Sequence, residues 1–203
     1  MGIKRYTIGA FETNTYLITK GDKAVVVDPG LDFISILDEV NKYKVVAVLI
    51  THAHVDHIDG CGMLDAPIYV GKDDLNSFYD LTNSLYFMTG IKPSYKDKKL
   101  NLIGVSDNEI INIDDFSFKV IHTPGHTMGS CCYLYYDNLF SGDTLFSGSI
   151  GRVDFPGGSM KRMKESLKKL KTLCNDNIVV YPGHDEKTTI KIEKKSNMYL
   201  INL

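Results

Sequence analysis

Six consecutive apolar residues, Val45-Val46-Ala47-Val48-Leu49-Ile50, run directly into Thr51-His52-Ala53-His54-Val55-Asp56-His57. A strand that is apolar at odd and even positions alike buries both of its faces, so it belongs inside a covered sheet with helices outside it. This excludes an open sheet with one wet side. No apolar run in the chain is longer, and six residues fall far short of the ~20 that span a bilayer, so no transmembrane segment is expected.

Short β-rich runs surround it. Ile3–Ile8, Asn14–Thr19 and Lys23–Asp28 read as strands, as do Pro67–Val70, Ile110–Ile113, Phe116–Ile121, Cys131–Tyr136, Leu139–Ser141 and Ile178–Tyr181. The spacing predicts a helix over Asp32–Tyr43, and a second over Met160–Leu173 with Met160, Met163, Leu167, Leu170 and Leu173 on one face. Several strands follow one another as hairpins instead of alternating with helices. That order predicts a mixed α/β (α+β) system of sheets sandwiched by helices, not a doubly wound parallel sheet. With 203 residues, no repeat and no linker, we expect a single domain over 1–203. The least regular stretch, Leu75 to Val105, reads equally as a lid or as a surface excursion.

Charge divides unevenly. Residues 1–159 carry 13 basic and 20 acidic side chains, and residues 160–203 carry 10 and 5. The basic excess sits largely on the Met160–Leu173 helix, where no aromatic residue is available to stack on a base, so a solvated helix is expected and a nucleic-acid partner is not. The opening Met1-Gly2-Ile3-Lys4-Arg5-Tyr6 lacks a secretion signal, which predicts a cytoplasmic protein. Cys61, Cys131, Cys132 and Cys174 show no disulfide framework and read as buried thiols.

Three of the six histidines fall within residues 52–57. On an extended segment leaving a strand, His52 and His54 share a side, and Asp56 with His57 can reach a second position nearby. The other candidates follow one grammar, in which a β-rich run meets Gly or Pro and then a potential ligand: Thr123-Pro124-Gly125-His126, Ser141-Gly142-Asp143 and Pro182-Gly183-His184. Imidazole and carboxylate without thiolate suit zinc, iron or manganese.

These segments resemble the metallo-β-lactamase superfamily, and within it the glyoxalase II-like hydrolases. The likeness also takes in Asn14-Thr15-Tyr16, Val27-Asp28-Pro29-Gly30, Gly151-Arg152-Val153-Asp154-Phe155-Pro156-Gly157-Gly158 and Asn197-Met198-Tyr199-Leu200. It implies a four-layer αββα sandwich with a centre of two divalent metal ions, zinc foremost and iron or manganese as alternatives. One metal would take His52, His54 and His126, the other Asp56, His57 and His184, and Asp143 would bridge them. Asp56 would also orient the attacking hydroxide. Asp28 would fix a ligand histidine, or else serve as a turn residue before Pro29. His122 matches no ligand position and is expected in the core or behind a ligand.

The implied function is hydrolysis of thioesters of the hydroxyacylglutathione type, on a small-molecule substrate. The chain ends 19 residues after His184, so the helical glutathione-holding domain of long glyoxalase II enzymes is not expected. Arg152 could grip a substrate carboxylate through its planar fork or pair with Asp154. The alternatives are a mononuclear-iron, persulfide dioxygenase-like oxidoreductase using His52, His126 and Asp143, and, further off, an RNA-processing metallo-hydrolase.

Overall fold

The computed structural model describes all 203 residues, Met1 to Leu203. The doubly apolar segment is β4 (Lys44–Ile50), and its alternate residues point into two different cores. Ala47 and Leu49 join an inter-sheet cluster with Phe118, Tyr133 and Phe140, whereas Val48 and Ile50 lie outside with Ile58, Phe78, Tyr86 and Tyr95.

Around β4 run β1 (Gly2–Ile8), β2 (Thr13–Lys20), β3 (Lys23–Val27), β5 (Ile68–Gly71) and β6 (Leu102–Val105), forming one six-stranded sheet in chain order. Strands β1 to β3 are antiparallel and β3 to β6 parallel. The second sheet has the order β12-β11-β10-β9-β8-β7, built from β7 (Ile110–Ile113), β8 (Phe116–His122), β9 (Cys131–Tyr135), β10 (Asn138–Gly142), β11 (Val179–Pro182) and β12 (Thr188–Thr189). Its pairings are antiparallel except for the parallel pair β10 and β11.

The two sheets meet face to face over sixteen buried residues, among them Tyr16, Phe116, Phe118, Tyr133, Tyr135 and Phe140. Aromatic side chains fill the gap, so truncating one, as in Phe140→Ala, costs about 3–5 kcal/mol. Helices cover the outer faces. On the first sheet these are the single turns α1 (Leu37–Val40), α2 (Val55–Ile58) and α3 (Tyr86–Thr89). On the second, α4 (Met160–Leu173) lays Met163, Leu167 and Leu170 against Ile121, Cys132 and Leu139. The short helices α5 (Ile190–Ser196) and α6 (Met198–Ile201) complete that layer through Ile190 and Leu200. The result is the αββα sandwich.

Several expectations need correction. The helix expected over Asp32–Tyr43 is a 3-10 turn at Phe33–Ile36 followed by α1, because Asp32 enters in a left-handed conformation and Ile36 breaks the α-helical path. Strand β6 lies inside the stretch read as irregular, its pattern interrupted by Gly104. In α4 the terminal residues Met160 and Leu173 are exposed, and Ser166 is buried among the apolar positions instead. All four cysteines are free and buried. No helix is long and apolar enough to cross a membrane.

Candidate metal centre

Each of the seven predicted donors lies just beyond the C-terminal end of a strand. His52, His54, Asp56 and His57 follow β4, His126 follows β8, Asp143 follows β10 and His184 follows β11. The first four come from one sheet and the last three from the other, so the donors meet where the rims of the sandwich face each other.

They converge in overlapping triads. The ligand atoms of His52, His54 and His126 lie within 4.8 Å of one another, as do those of Asp56, His57 and His184, and those of His52, His57 and Asp143. Asp143 sits between the halves, its Oδ2 3.5 Å from His126 Nε2 and 3.6 Å from His184 Nε2, and its Oδ1 3.5 Å from His57 Nε2. Asp56 Oδ2 is 3.3 Å from both His57 Nε2 and His184 Nε2.

Whether these groups suit a cation can be judged from their hydrogen bonding. Five buried side-chain polar atoms lack a hydrogen-bond partner, and four of them are here: His52 Nε2, His54 Nε2, His57 Nε2 and Asp143 Oδ1. Buried polar atoms are rarely left unpaired, because each costs about 1–3 kcal/mol. His54 Nδ1 and His126 Nε2 lie 2.9 Å apart, but the four unpaired atoms are those a divalent metal would take up, and the mix of nitrogen and oxygen fits Zn2+, Fe or Mn. The chain therefore carries a His/Asp cluster suited to divalent metals.

Protonation differs between the halves. Burial drives His52 and His54 well below the ordinary imidazole range, keeping their lone pairs free at neutral pH. Burial also disfavours charge on His57, but Asp56, Asp28 and Asp143 outweigh it and hold the ring well above that range. His184 is raised too, its burial being outweighed by the bond to Asp56 and the charge of Asp143. Asp56, although buried, is held well below the carboxylate range by His57 and His184.

A further ring of groups fixes the donors. Asp28, just beyond β3, accepts from Thr51 N at 2.8 Å, from Thr51 Oγ1 at 2.7 Å and from His57 Nδ1 at 3.0 Å, so it directs His57 Nε2 into the cluster. His126 Nδ1 donates to the Arg152 carbonyl at 2.6 Å. Glycine is needed at 183, where a Cβ would collide with Asp143 Oδ1 and come within 2.8 Å of His57 Cε1.

Two contributors escape sequence reasoning. Thr13 Oγ1 donates to Asp56 Oδ2 at 2.9 Å, yet Thr13-Asn14 reads as a turn signal. Asp74 is buried and accepts from Ala53 N at 3.1 Å, Thr127 Oγ1 at 2.7 Å and Gly129 N at 2.7 Å, tying the His52–His54 segment to the loop of His126. Burial raises its pKa against those bonds. In Lys72-Asp73-Asp74 nothing but a polar surface run is visible.

One expectation changes, and one pair of alternatives is decided. His122 is neither in the core nor behind a ligand: it is partly exposed and its Nε2 donates to the Met128 carbonyl at 2.9 Å. The guanidinium of Arg152 does not present its fork to the cleft, since Nε and one terminal nitrogen each donate to Asp154 at 2.7 Å, with Cζ 3.8 Å above the Phe155 ring.

A cleft of about 400 Å³ opens over the cluster. Its floor is His54, Asp56, His126, Asp143 and His184, and its walls include Phe11, Val55, Phe146 and Phe155. The stretch once open to two readings supplies another wall through Leu85, Met88 and Thr89.

An αββα sandwich with such a donor cluster between its rims defines a class of divalent-metal proteins, mostly hydrolases. The metallo-beta-lactamase superfamily model matches residues 8–184. The chain belongs to this superfamily. It is 31% identical to the hydroxyacylglutathione hydrolase GloC of Haemophilus influenzae, over 98% of each chain. Among solved structures, the BLEG-1 B3 metallo-beta-lactamase superposes with a TM-score of 0.87 at 31% identity, covering 98% of this chain and 99% of that one. TTHA1623 in a di-iron-bound form gives 0.84 at 30% identity, covering 97% and 100%.

Proposed function

We propose that this chain is a binuclear metal-dependent hydrolase of thioesters of the hydroxyacylglutathione type. The observation that carries this reading is the pair of donor triads with Asp143 between them on the floor of a cleft. In the assignment, His52, His54 and His126 hold one cation, Asp56, His57 and His184 hold the other, and Asp143 serves both. Zinc is the first choice; the di-iron form of TTHA1623 supports iron as the alternative.

Two cations so placed would lower the pKa of a water from 15.7 towards ~7 and oppose negative charge on a carbonyl oxygen. The chain's own part is positional. Asp56, kept ionised by its histidines and steadied by the Thr13 hydroxyl, accepts a hydrogen bond from the attacking water and orients it. Asp28 keeps His57 in the tautomer that offers Nε2. No serine or cysteine nucleophile enters, and all four thiols are buried.

The likeness to GloC supports the substrate class. The test combines metal analysis of purified protein with thioester, persulfide and β-lactam substrates under air and under nitrogen. Two metals per chain and oxygen-independent thiol release, lost in His54→Ala, are expected. One iron with oxygen uptake on a persulfide would replace hydrolysis by sulfur oxidation, and turnover confined to β-lactams would replace the substrate. Unaltered thioester turnover in His54→Ala would overturn the mechanism.

A further inference from the structure

We propose that the turn Leu85–Thr89 is a specificity wall that selects substrates with an apolar group beside the scissile bond. This rests on the thioester-hydrolase reading and narrows its substrate class.

Six residues make the cleft apolar above its floor: Phe11, Val55, Leu85, Met88, Phe146 and Phe155. The one guanidinium in the lining, Arg152, has its fork engaged by Asp154 and lies flat on Phe155. One terminal nitrogen of that guanidinium is all it leaves for a substrate carboxylate. What the walls do offer is hydrocarbon, including Met88, which is 58% exposed. An apolar substituent covering that surface gains by removing it from water.

The wall is also held in register with the metal donors. The helix carrying Asp56 and His57 is tied to it twice. Val55 N–H donates to the Ser84 carbonyl at 2.8 Å, and the Tyr86 hydroxyl donates to Asp59 Oδ1 at 2.7 Å. Asp59 Oδ1 further accepts from Ser94 N at 3.0 Å. Leu85 lies between the two ties in a left-handed conformation, φ 65°, which bulky residues rarely adopt. Strain of this kind persists where the surroundings over-determine it, and is concentrated at binding sites. Here it places Leu85, itself buried, in the cleft lining within one apolar cluster with Val55, against which Phe155 packs, the Phe155 ring standing 6.0 Å from that of His54.

The test measures kcat/KM for metal-loaded protein on two series, acetyl to hexanoyl thioesters of N-acetylcysteamine and acetyl thioesters of thiols of increasing chain length. Calorimetric binding of acetate and hexanoate provides a readout independent of turnover. A fully buried methylene contributes roughly a factor of four, so four methylenes half-covered by the walls give an expected preference of about fifteenfold for the longer chain. The series that shows the preference identifies whether the acyl or the thiol side occupies the cleft. Leu85→Ala and Met88→Ala should each reduce the long-chain to short-chain ratio at least threefold. Tyr86→Phe keeps the ring and removes the tie, and should reduce the ratio in the same direction. A flat response in both series, or equal losses on short and long substrates in Leu85→Ala and Met88→Ala, would overturn the wall. If no thioester is cleaved at all, the hydrolase reading falls, and calorimetry still decides the wall: equal binding of acetate and hexanoate refutes it, whereas tighter hexanoate binding weakened by Met88→Ala supports it.

Discussion

The two halves of the donor cluster are built on different principles. His52, His54 and His126 are all imidazole, all buried, and two of them are kept neutral by burial. Asp56, His57 and His184 mix charge with imidazole, depend on the outer carboxylate Asp28, and open towards solvent at His184, whose side chain is 24% exposed. The difference teaches that a site can secure its donors either by desolvation, which keeps a lone pair free, or by a carboxylate that orients the ring while favouring its proton. The first half is ready for a cation at neutral pH; in the second, a cation must displace protons from His57 and His184.

The sharpest way to break this comparison is to delete one donor from each half. His126→Ala and His184→Ala should each reduce metal content from two ions to one, with activity losses beyond the ~10–100-fold that outer-ring positions cost. Metal analysis and kcat/KM on one thioester report both effects; loss of both metals from either variant would show that the halves are not separate. Asp28→Ala comes next, with metal affinity of the carboxylate half lowered about 10–100-fold and the imidazole half retained, measured by competition with a chelator.

Acidification should also separate the halves. His57 and His184 have raised pKa values and take up protons first as pH falls, so the carboxylate half should release its ion at higher pH than the half holding His52 and His54. A titration followed by a chromogenic chelator would then show two steps, and one step would erase the distinction. The smallest effect is expected from Thr13→Val, which removes one hydrogen bond to Asp56 worth about 1 kcal/mol, or roughly fivefold in kcat/KM.

The fold and donors were legible where the signal is local. β4 betrays its double burial because every position is apolar, and each donor is announced by a strand running into Gly, Pro or a histidine pair. What the sequence hides depends on the partner in space. Asp74 becomes buried because the loop bearing Thr127 and Gly129 folds over it. Glu193 is buried in α5, where it accepts from Gly148 N, Thr188 Oγ1 and Asn197 Nδ2, so that helix shows no simple apolar stripe. The role of Tyr86 was equally obscure, because its partner Asp59 lies 27 positions away. Arg152 was ambiguous by nature, since the same fork suits a neighbouring Asp or a substrate carboxylate.

The strand order has one more consequence. Residues 2–105 make up the whole first sheet and residues 110–189 the whole second, joined by a single short crossing. Four donors travel with the first segment and three with the second, and each triad draws on both. Neither segment owns a site. In the proposed assignment each cation would be a rivet added to the sixteen-residue apolar interface that already joins the two ribbons, so chelation should loosen the partnership before it unravels either ribbon.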